Sequence, residues 1–471
     1  MVQKCELVVP YLKPMSQLSK LLALINDATK VIEARTSSDL SLDSTATGKD
    51  DALSTPEVRE AIRIIEGACA QLVASVARPS HTILNKIFAY SEPACIRAVV
   101  TLKVPDLLLD EPQGLHVSEI ARRANVDQGK LARIMRLLAT KHCFREVKPD
   151  VFVNNRLSIQ LLSTNGLSDL ALHITDEVAK AASMLAETLT DPDMGPSYSP
   201  NKTPFNKYSG YPGTMFEYFE GINTDTGGAQ GARFGRAMKG WGQGIAALSV
   251  VKEYPWAKLP PGSIVDDLGG GVGSITMELY KAHPHLQYIL QDLPKVISRA
   301  ENETWPAQVP QALKDHKIEF EPVDFLKETP VPGCDIYYLK NIIHDWPDKE
   351  CIQILSNVRA VMKPGSRILI QEYVLQHTTL EGINAGVKVA PDPLLPNYGE
   401  GRINAYNLDL DMMVMLNSQE RYQEDFAKLG EEAGLKIVKV WDFGDTGLVE
   451  FAIKDEDIGM NGHAKVSVNG N

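Results

Sequence analysis

Between Ser263 and Lys454 the chain alternates apolar, strand-like runs with helical patterns, and this alternation restricts the possible fold more than any other feature. The runs are Ser263–Gly269, Gln287–Asp292, Ile318–Asp324, Asp335–Lys340, Arg367–Leu375, Lys436–Asp442 and Gly447–Lys454. Helical patterns separate most of them, notably 347–361 and 420–433. A strand apolar along its whole length is buried on both faces, which a mostly parallel sheet with helices on both sides provides. The last two runs are separated only by Phe443-Gly444-Asp445-Thr446, so they should pair antiparallel. The expected class is α/β, a Rossmann-like seven-stranded sheet, mostly parallel, with an antiparallel terminal hairpin.

Upstream the pattern differs. Residues 15–35 and a stretch beginning at Pro56 carry apolar residues at helical spacing, the second with Ser54 or Thr55 as its cap. The Ser/Thr/Asp-rich stretch between them, about 36–55, reads as a flexible linker. Two such helices have no obvious core of their own and must pack on the rest of the chain or on a partner subunit. Residues 91–165 read as a helix at 94–109, then helix-turn-helix through Val117, Asn125-Val126-Asp127 and Gly129–Lys141, then a hairpin around Pro149-Asp150. That order is a winged helix. The expected organisation is a helical extension (1–80), a mostly helical winged-helix domain (81–165), a helical linking region (166–250), the α/β domain (251–455) and a polar, disordered tail (456–471).

Composition narrows the partners. A net charge of -12 argues against nucleic acid and anionic membrane as partners of the whole molecule. No run of eighteen apolar residues occurs, and the N-terminus lacks a continuous signal-peptide core. The six cysteines form no CxxC pair, so a reduced, cytoplasmic protein is expected. His283 and His285 flank a proline in a loop and read as surface residues, leaving no expected metal site.

The first strand runs into Val265-Asp266-Asp267-Leu268-Gly269-Gly270-Gly271-Val272-Gly273-Ser274 and opens a helix. Glycines allow close backbone approach to a ligand, and the helix start offers free N–H groups. The motif alone is weak, since a nicotinamide fingerprint would place glycine where Ser274 stands. Asp292, ending the second strand, can accept both hydroxyls of a ribose. Asp324 ends the third strand with Phe325 beside it, suited to the edge and face of an adenine. Each acid alone could equally cap the following helix. Three strand ends facing one crevice are less easily explained that way.

These strings, LGGGVG, QDLP and VDF, resemble the plant and fungal small-molecule O-methyltransferases of the caffeate/flavonoid type, over roughly residues 90–455. The resemblance implies a class I methyltransferase sheet with S-adenosylmethionine as cofactor and no metal, and a winged helix that serves homodimerisation. It further implies that Gly269 and Gly271 approach the methionine part, Asp292 and Leu293 the ribose, and Asp324 and Phe325 the adenine. Lys340 also matches a cofactor-lining position.

The family's most distinctive string, K-x-I-x-H-D-W-x-D, is present as Lys340-Asn341-Ile342-Ile343-His344-Asp345-Trp346-Pro347-Asp348. His344 lies just past the fourth strand, at the edge where open α/β sheets bind ligands. A lone histidine there could also be a surface or cap residue. Methyl transfer is an in-line displacement at an already activated sulfonium, so the enzyme must mainly align reactants and supply a nucleophile. A phenol has a pKa of about 10, and a neutral imidazole within reach can take its proton during attack. A carboxylate on one imidazole nitrogen leaves the other free as base. The family flanks its histidine with two glutamates, and Glu372 and Glu420 match them, with Asp345 following the histidine.

On the acceptor side, Phe234, Met238, Trp241, Trp346 and Met415 match the family's pocket positions. Aromatic faces and thioethers suit a flat apolar substrate and a nearby sulfonium, though each alone fits ordinary core packing. The N-terminal extension and a Pro/Gly-rich stretch at about 380–402 depart from the plant pattern, so the acceptor's identity does not carry over. The expected reaction is transfer of a methyl group to a hydroxyl of a small aromatic secondary metabolite. N- or C-methylation by the same fold is the near alternative, a nicotinamide oxidoreductase a further one. A winged-helix DNA-binding regulator is the distant one, motivated by seven Lys/Arg against two acids within 116–145.

Overall fold

The computed structural model describes residues 15–36, 40–45, 53, 55–225, 227–244, 248–381 and 388–454. The expected disordered tail (456–471) and much of the expected flexible linker (36–55) lie outside the described residues. Within that linker, Leu42 O accepts a hydrogen bond from Arg156 N and Asp43 pairs with Arg145. The chain forms two units, one of residues 1–39, 48–87 and 376–403, the other of residues 40–47, 88–375 and 404–471.

In the smaller unit, α1 (Gln17–Arg35) starts at Ser16, whose hydroxyl accepts from Ser19 N, and α2 (Pro56–Val76) starts with proline in its first turn. Their apolar stripes meet, and the groove is filled from 388–402. Leu21 and Ala68 are buried with Ala390, Leu394 and Tyr398. Gly67 is required here, since a Cβ would stand 2.3 Å from Tyr398 O. Gln71 Nε2 donates to Pro393 O at 2.6 Å and Tyr398 Oη to Glu60 at 2.7 Å. The two helices thus pack on another part of the chain, one of the two alternatives expected. That part is a Pro/Gly-rich segment whose apolar side chains follow no helical or strand period.

In the larger unit the winged helix comprises α3 (Ser91–Thr101), α4 (Val117–Ala124) and α5 (Gln128–Thr140). A three-stranded antiparallel sheet of Leu115–His116, Val151–Val153 and Arg145–Lys148 completes it. The single helix expected over 94–109 is broken, because Lys103 takes a left-handed φ of 52° and Pro105 follows. Two helices then lead toward the α/β core, α6 (Gly166–His173) and α7 (Gly227–Gly244). They cross where Gly166 meets Gly240, and a Cβ on Gly166 would lie 2.7 Å from Gly240 Cα.

The main sheet contains all seven expected strands: β1 (Ile264–Leu268), β2 (Gln287–Asp292), β3 (Ile318–Pro322), β4 (Ile336–Lys340), β5 (Arg367–Glu372), β6 (Leu435–Asp442) and β7 (Gly447–Ile453). Their order is β6-β7-β5-β4-β1-β2-β3. β7 alone runs against its neighbours. Side chains of β1 to β5 alternate between two apolar layers, one around Trp256, Tyr288, Trp305 and Leu369, the other around Ile289, Leu339, Ile354, Ile370 and Phe426. The run expected over Arg367–Leu375 stops at Glu372. Val374–Leu375 instead pairs in parallel with Arg421–Tyr422, drawing that later segment up to the end of β5.

One strand residue does not suit this core. Asp266 is fully buried in β1, and neither carboxyl oxygen has a hydrogen-bond partner among the described residues. Burial, and then the charge of Asp267, push its pKa well above the ordinary carboxyl value. A folded-state pKa above the unfolded one gives a contribution that is fully present at low pH and is lost as pH rises through the folded value. Asp266→Val should therefore raise Tm, with a gain of roughly 1–3 kcal/mol at pH 8 and a smaller gain at pH 5. Thermal denaturation at the two pH values reads the difference.

Candidate active site

The loop after β1 turns on Gly269 (φ 74°) and Gly271 (φ 61°), a backbone region that favours glycine. A Cβ on Gly269 would strike Ile342 Cδ1 at 2.4 Å and touch Phe325, whereas one on Gly271 would meet nothing within 4 Å. The loop thus rests on one side against the strand ends and is open above Gly271. Asp292 anchors it, accepting from Gly271 N at 2.9 Å and Leu293 N at 2.7 Å. Each of its oxygens keeps lone pairs for further donors such as ribose hydroxyls. Below the loop, Asp267 accepts from the Thr276 hydroxyl, and burial pushes its pKa up to about 6. Lys340, at the end of β4, is pushed down by burial, opposed by the charges of Asp267 and Glu372.

Asp324 holds its own turn. Its carboxylate accepts from Leu326 N at 3.2 Å and pairs with Lys327 at 2.6 Å, which is the capping arrangement open to any strand-end acid. Phe325 does join the site, lying against Gly269 and meeting Trp346 edge-on at 6.3 Å. The half-exposed Leu293 offers its backbone at the same strand end. These groups fit an adenosyl ligand: a glycine loop open above Gly271, an anchored carboxylate, and an aromatic face beside it.

His344 is buried in a short turn, Ile343–Asp345, beyond β4. Three long-range contacts shape that turn. Glu372, the last residue of β5, accepts from Ile342 N and His344 N, both at 3.1 Å. Arg421 is fully buried and donates to Ile343 O and Trp346 O at 2.9 Å and to Asp348 at 2.8 Å. Glu420 Oε1 lies 2.6 Å from His344 Nδ1, and Glu420 N is itself held by Asp409 at 2.9 Å. The thiol of Cys351 adds contacts of 3.2 and 3.1 Å to Ile343 O and Trp346 O.

The two glutamates therefore differ. Glu420 reaches the imidazole ring, while Glu372 binds the backbone of the turn and keeps a buried Oε2 with no hydrogen bond among the described residues. Burial raises the pKa of both. Asp345 Oδ1 stands 3.5 Å from His344 Nε2, and burial pushes its pKa up to about 6.

Beside this turn lies an apolar cluster. Phe216 stacks on Trp346 at 6.0 Å, and Met215, Phe219, Phe234 and Met415 pack together with it. Met415 is the penultimate residue of the helix Ile403–Leu416, five residues before Glu420, and Phe216 ties the cluster to Trp346, two residues beyond His344. Trp241 instead meets Tyr373, next to Glu372, at 6.5 Å, and Met238 is 38% exposed. Of the histidines expected at the surface, His283 holds Val251 O through Nε2 at 2.9 Å. No group of residues suited to a metal ion occurs among the described residues.

The sequence reading missed Arg421, Asp409, Cys351, Phe216 and Phe219. Arg421 left a signal, an arginine beside an acid already singled out. The others left none, because their role depends on which backbone atoms fold back upon them.

The sequence matches an O-methyltransferase dimerisation domain over residues 84–164 and an O-methyltransferase domain over residues 197–436. It is 43% identical to 3-O-methyltransferase 2 of Phanerochaete chrysosporium, over 91% of this chain and 95% of that protein. It is 34% identical to the O-methyltransferase gedA of Aspergillus terreus, over 84% of this chain and 86% of that protein. Among solved structures, OxaC in complex with sinefungin and meleagrin shares the fold, with a TM-score of 0.68 at 24% identity over 93% of this chain and 99% of that one. The S-adenosylhomocysteine-bound methyltransferase CalO1 of calicheamicin biosynthesis has a TM-score of 0.60 at 23% identity, over 80% of this chain and 98% of that one. The chain belongs to the S-adenosylmethionine-dependent O-methyltransferase family.

Proposed function

We propose that this enzyme methylates a phenolic hydroxyl of a small aromatic secondary metabolite, with His344 as general base. The 2.6 Å contact between His344 Nδ1 and Glu420 Oε1 carries the reading. When Nδ1–H donates to an ionised Glu420, Nε2 keeps its lone pair and can accept a hydroxyl proton. The imidazolium so formed is stabilised by Glu420 and by Asp345. Glu372 and Arg421 fix the turn that aims the ring, and Cys351 packs beneath it. Bound over the glycine loop by Gly269, Gly271, Asp292, Leu293, Phe325 and Lys340, S-adenosylmethionine supplies an activated methyl group on a sulfonium. Asp324, whose oxygens keep lone pairs beside Leu326 N and the exposed Lys327, would hold the adenine edge. Phe234, Trp346 and Met415, joined by Met215, Phe216 and Phe219, offer the flat apolar wall an aromatic acceptor needs. Trp241 and Met238 lie toward its margin.

The regulator reading loses its support at the winged helix. Five of the seven basic residues there, Arg122, Arg123, Arg136, Lys141 and Arg145, are paired with acids and present no free basic stripe. A homodimer through the dimerisation domain completes the reading. Ile83, Leu84 and Ile87 of the helix Pro79–Ile87 are each more than half exposed, as is Phe88 after it. A cytoplasmic location suits the free cysteines at 69, 95, 143, 334 and 351.

Labelled S-adenosylmethionine with pooled phenols tests the activity and identifies the acceptor. Calorimetry should show binding of S-adenosylhomocysteine and none of NAD, and Asp292→Ala should weaken the former about 10- to 100-fold. His344→Ala should lower kcat on a phenol by about 10²–10⁴; near-full activity would point instead to an amine acceptor. Light scattering should give a dimer at micromolar concentration, and a monomer there would refute the assembly.

A further inference from the structure

His173 ends α6 against Phe219 and Phe234 of the apolar cluster, which Phe216 ties to Trp346 in the His344 turn, and neither the turn nor the glycine loop uses it. It is 5% exposed. Its ring meets Phe234 edge-on at 5.2 Å and Phe219 at 5.9 Å, and those two rings stack on each other at 5.1 Å. A polar side chain in such a place is costly unless its hydrogen bonds are used. Nδ1 lies 3.3 Å from Glu177 Oε2, itself 5% exposed. Glu177 is held on its other oxygen by Arg233, one residue before Phe234 on α7. Nε2 has no hydrogen bond among the described residues.

The backbone that makes this possible is unusual. Residues Ile174–Val178 form a π-helical turn between α6 and the helix Ala179–Ala182. Such turns insert an extra residue into a helix and recur at functional sites. Here the turn carries Asp176 and Glu177. Asp176 pairs with Arg97 at 2.6 Å, with Lys180 at 2.5 Å and with Arg233 at 3.5 Å, so Arg233 is fixed from both sides of the turn.

An arginine-bound carboxylate accepts, so Nδ1 carries the hydrogen and Nε2 the lone pair. Burial, with the charge of Arg233 nearby, pushes the His173 pKa down to about 4, so the ring stays neutral at physiological pH. We propose that His173, oriented by Glu177 and Arg233, is a positioning residue for the acceptor: its Nε2 accepts a hydrogen bond from a second hydroxyl of an aromatic substrate whose first hydroxyl faces His344. The acceptor class is therefore a polyhydroxylated aromatic, and the second hydroxyl stands at the Phe219–Phe234 end of the pocket. This rests on the aromatic-acceptor reading above.

A matched acceptor series tests it, with full-length enzyme, S-adenosylmethionine, 2-naphthol and a set of dihydroxynaphthalenes differing in the second position. Wild type should show kcat/KM roughly tenfold higher for at least one dihydroxynaphthalene than for 2-naphthol. His173→Phe should erase that ratio, chiefly through KM, by lowering kcat/KM for the dihydroxynaphthalene well beyond any change for 2-naphthol. His173→Gln, which keeps an acceptor near the Nε2 position, should restore part of the ratio and guards against a misfolded phenylalanine variant. A wild-type ratio near one, or equal losses on both substrates in both variants, would overturn the proposal and leave the cluster a purely structural tie between α6 and α7. If no naphthol is turned over or bound by wild type, the aromatic-acceptor reading falls and takes this one with it.

Discussion

Glu420 lies 76 residues beyond His344 in the chain, yet its Oε1 stands 2.6 Å from the imidazole Nδ1. Everything else at the site either brings that contact about or depends on it. The short parallel pairing of Arg421–Tyr422 with Val374–Leu375 brings the later segment to the end of β5. Arg421 then reaches through the core to the carbonyls of Ile343 and Trp346, and Asp409 holds Glu420 N. A histidine on a free turn would sample many orientations. Here both faces of the turn are satisfied, its amides by Glu372 and its carbonyls by Arg421, so little freedom is left to lose on binding substrate.

The electrostatics of this centre are unusual. Three carboxyl groups surround one imidazole, the buried Glu372 and Glu420 and the partly exposed Asp345, and desolvation raises the pKa of each. Arg421 is the compensating cation, tied to the same backbone. Such a cluster is costly to bury, and its groups titrate as a set rather than singly. Perturbed carboxyl groups of this kind cluster at functional sites. Asp266 is the contrast: equally buried, without a hydrogen-bond partner among the described residues, and remote from the reacting edge of the sheet.

Much of this was legible in the residues. All seven strands announced themselves as apolar runs, because a sheet covered on both faces demands them. The strand-end acids and glycines were visible because ligand sites on such sheets recur at fixed chain positions. The winged helix followed from its caps and turns, missing only the break at Lys103, where a left-handed residue ends one helix before Pro105 begins the next.

Sequence alone determined the class of fold, the class of cofactor and the identity of the candidate base, since these rest on local periodicity and short strings. Tertiary structure decided how the parts are used. It put Glu420 on the imidazole and Glu372 on the backbone, although both matched the same family role. It tied the Asp324 carboxylate to Leu326 and Lys327 of its own turn, and gave α1 and α2 a core made with Leu394 and Tyr398. It seated His173 among Phe219 and Phe234. The physical reason is common to all four. Which donor an acid meets, and which groove an apolar side chain fills, is settled by segments far apart in the chain, and no local pattern records their meeting.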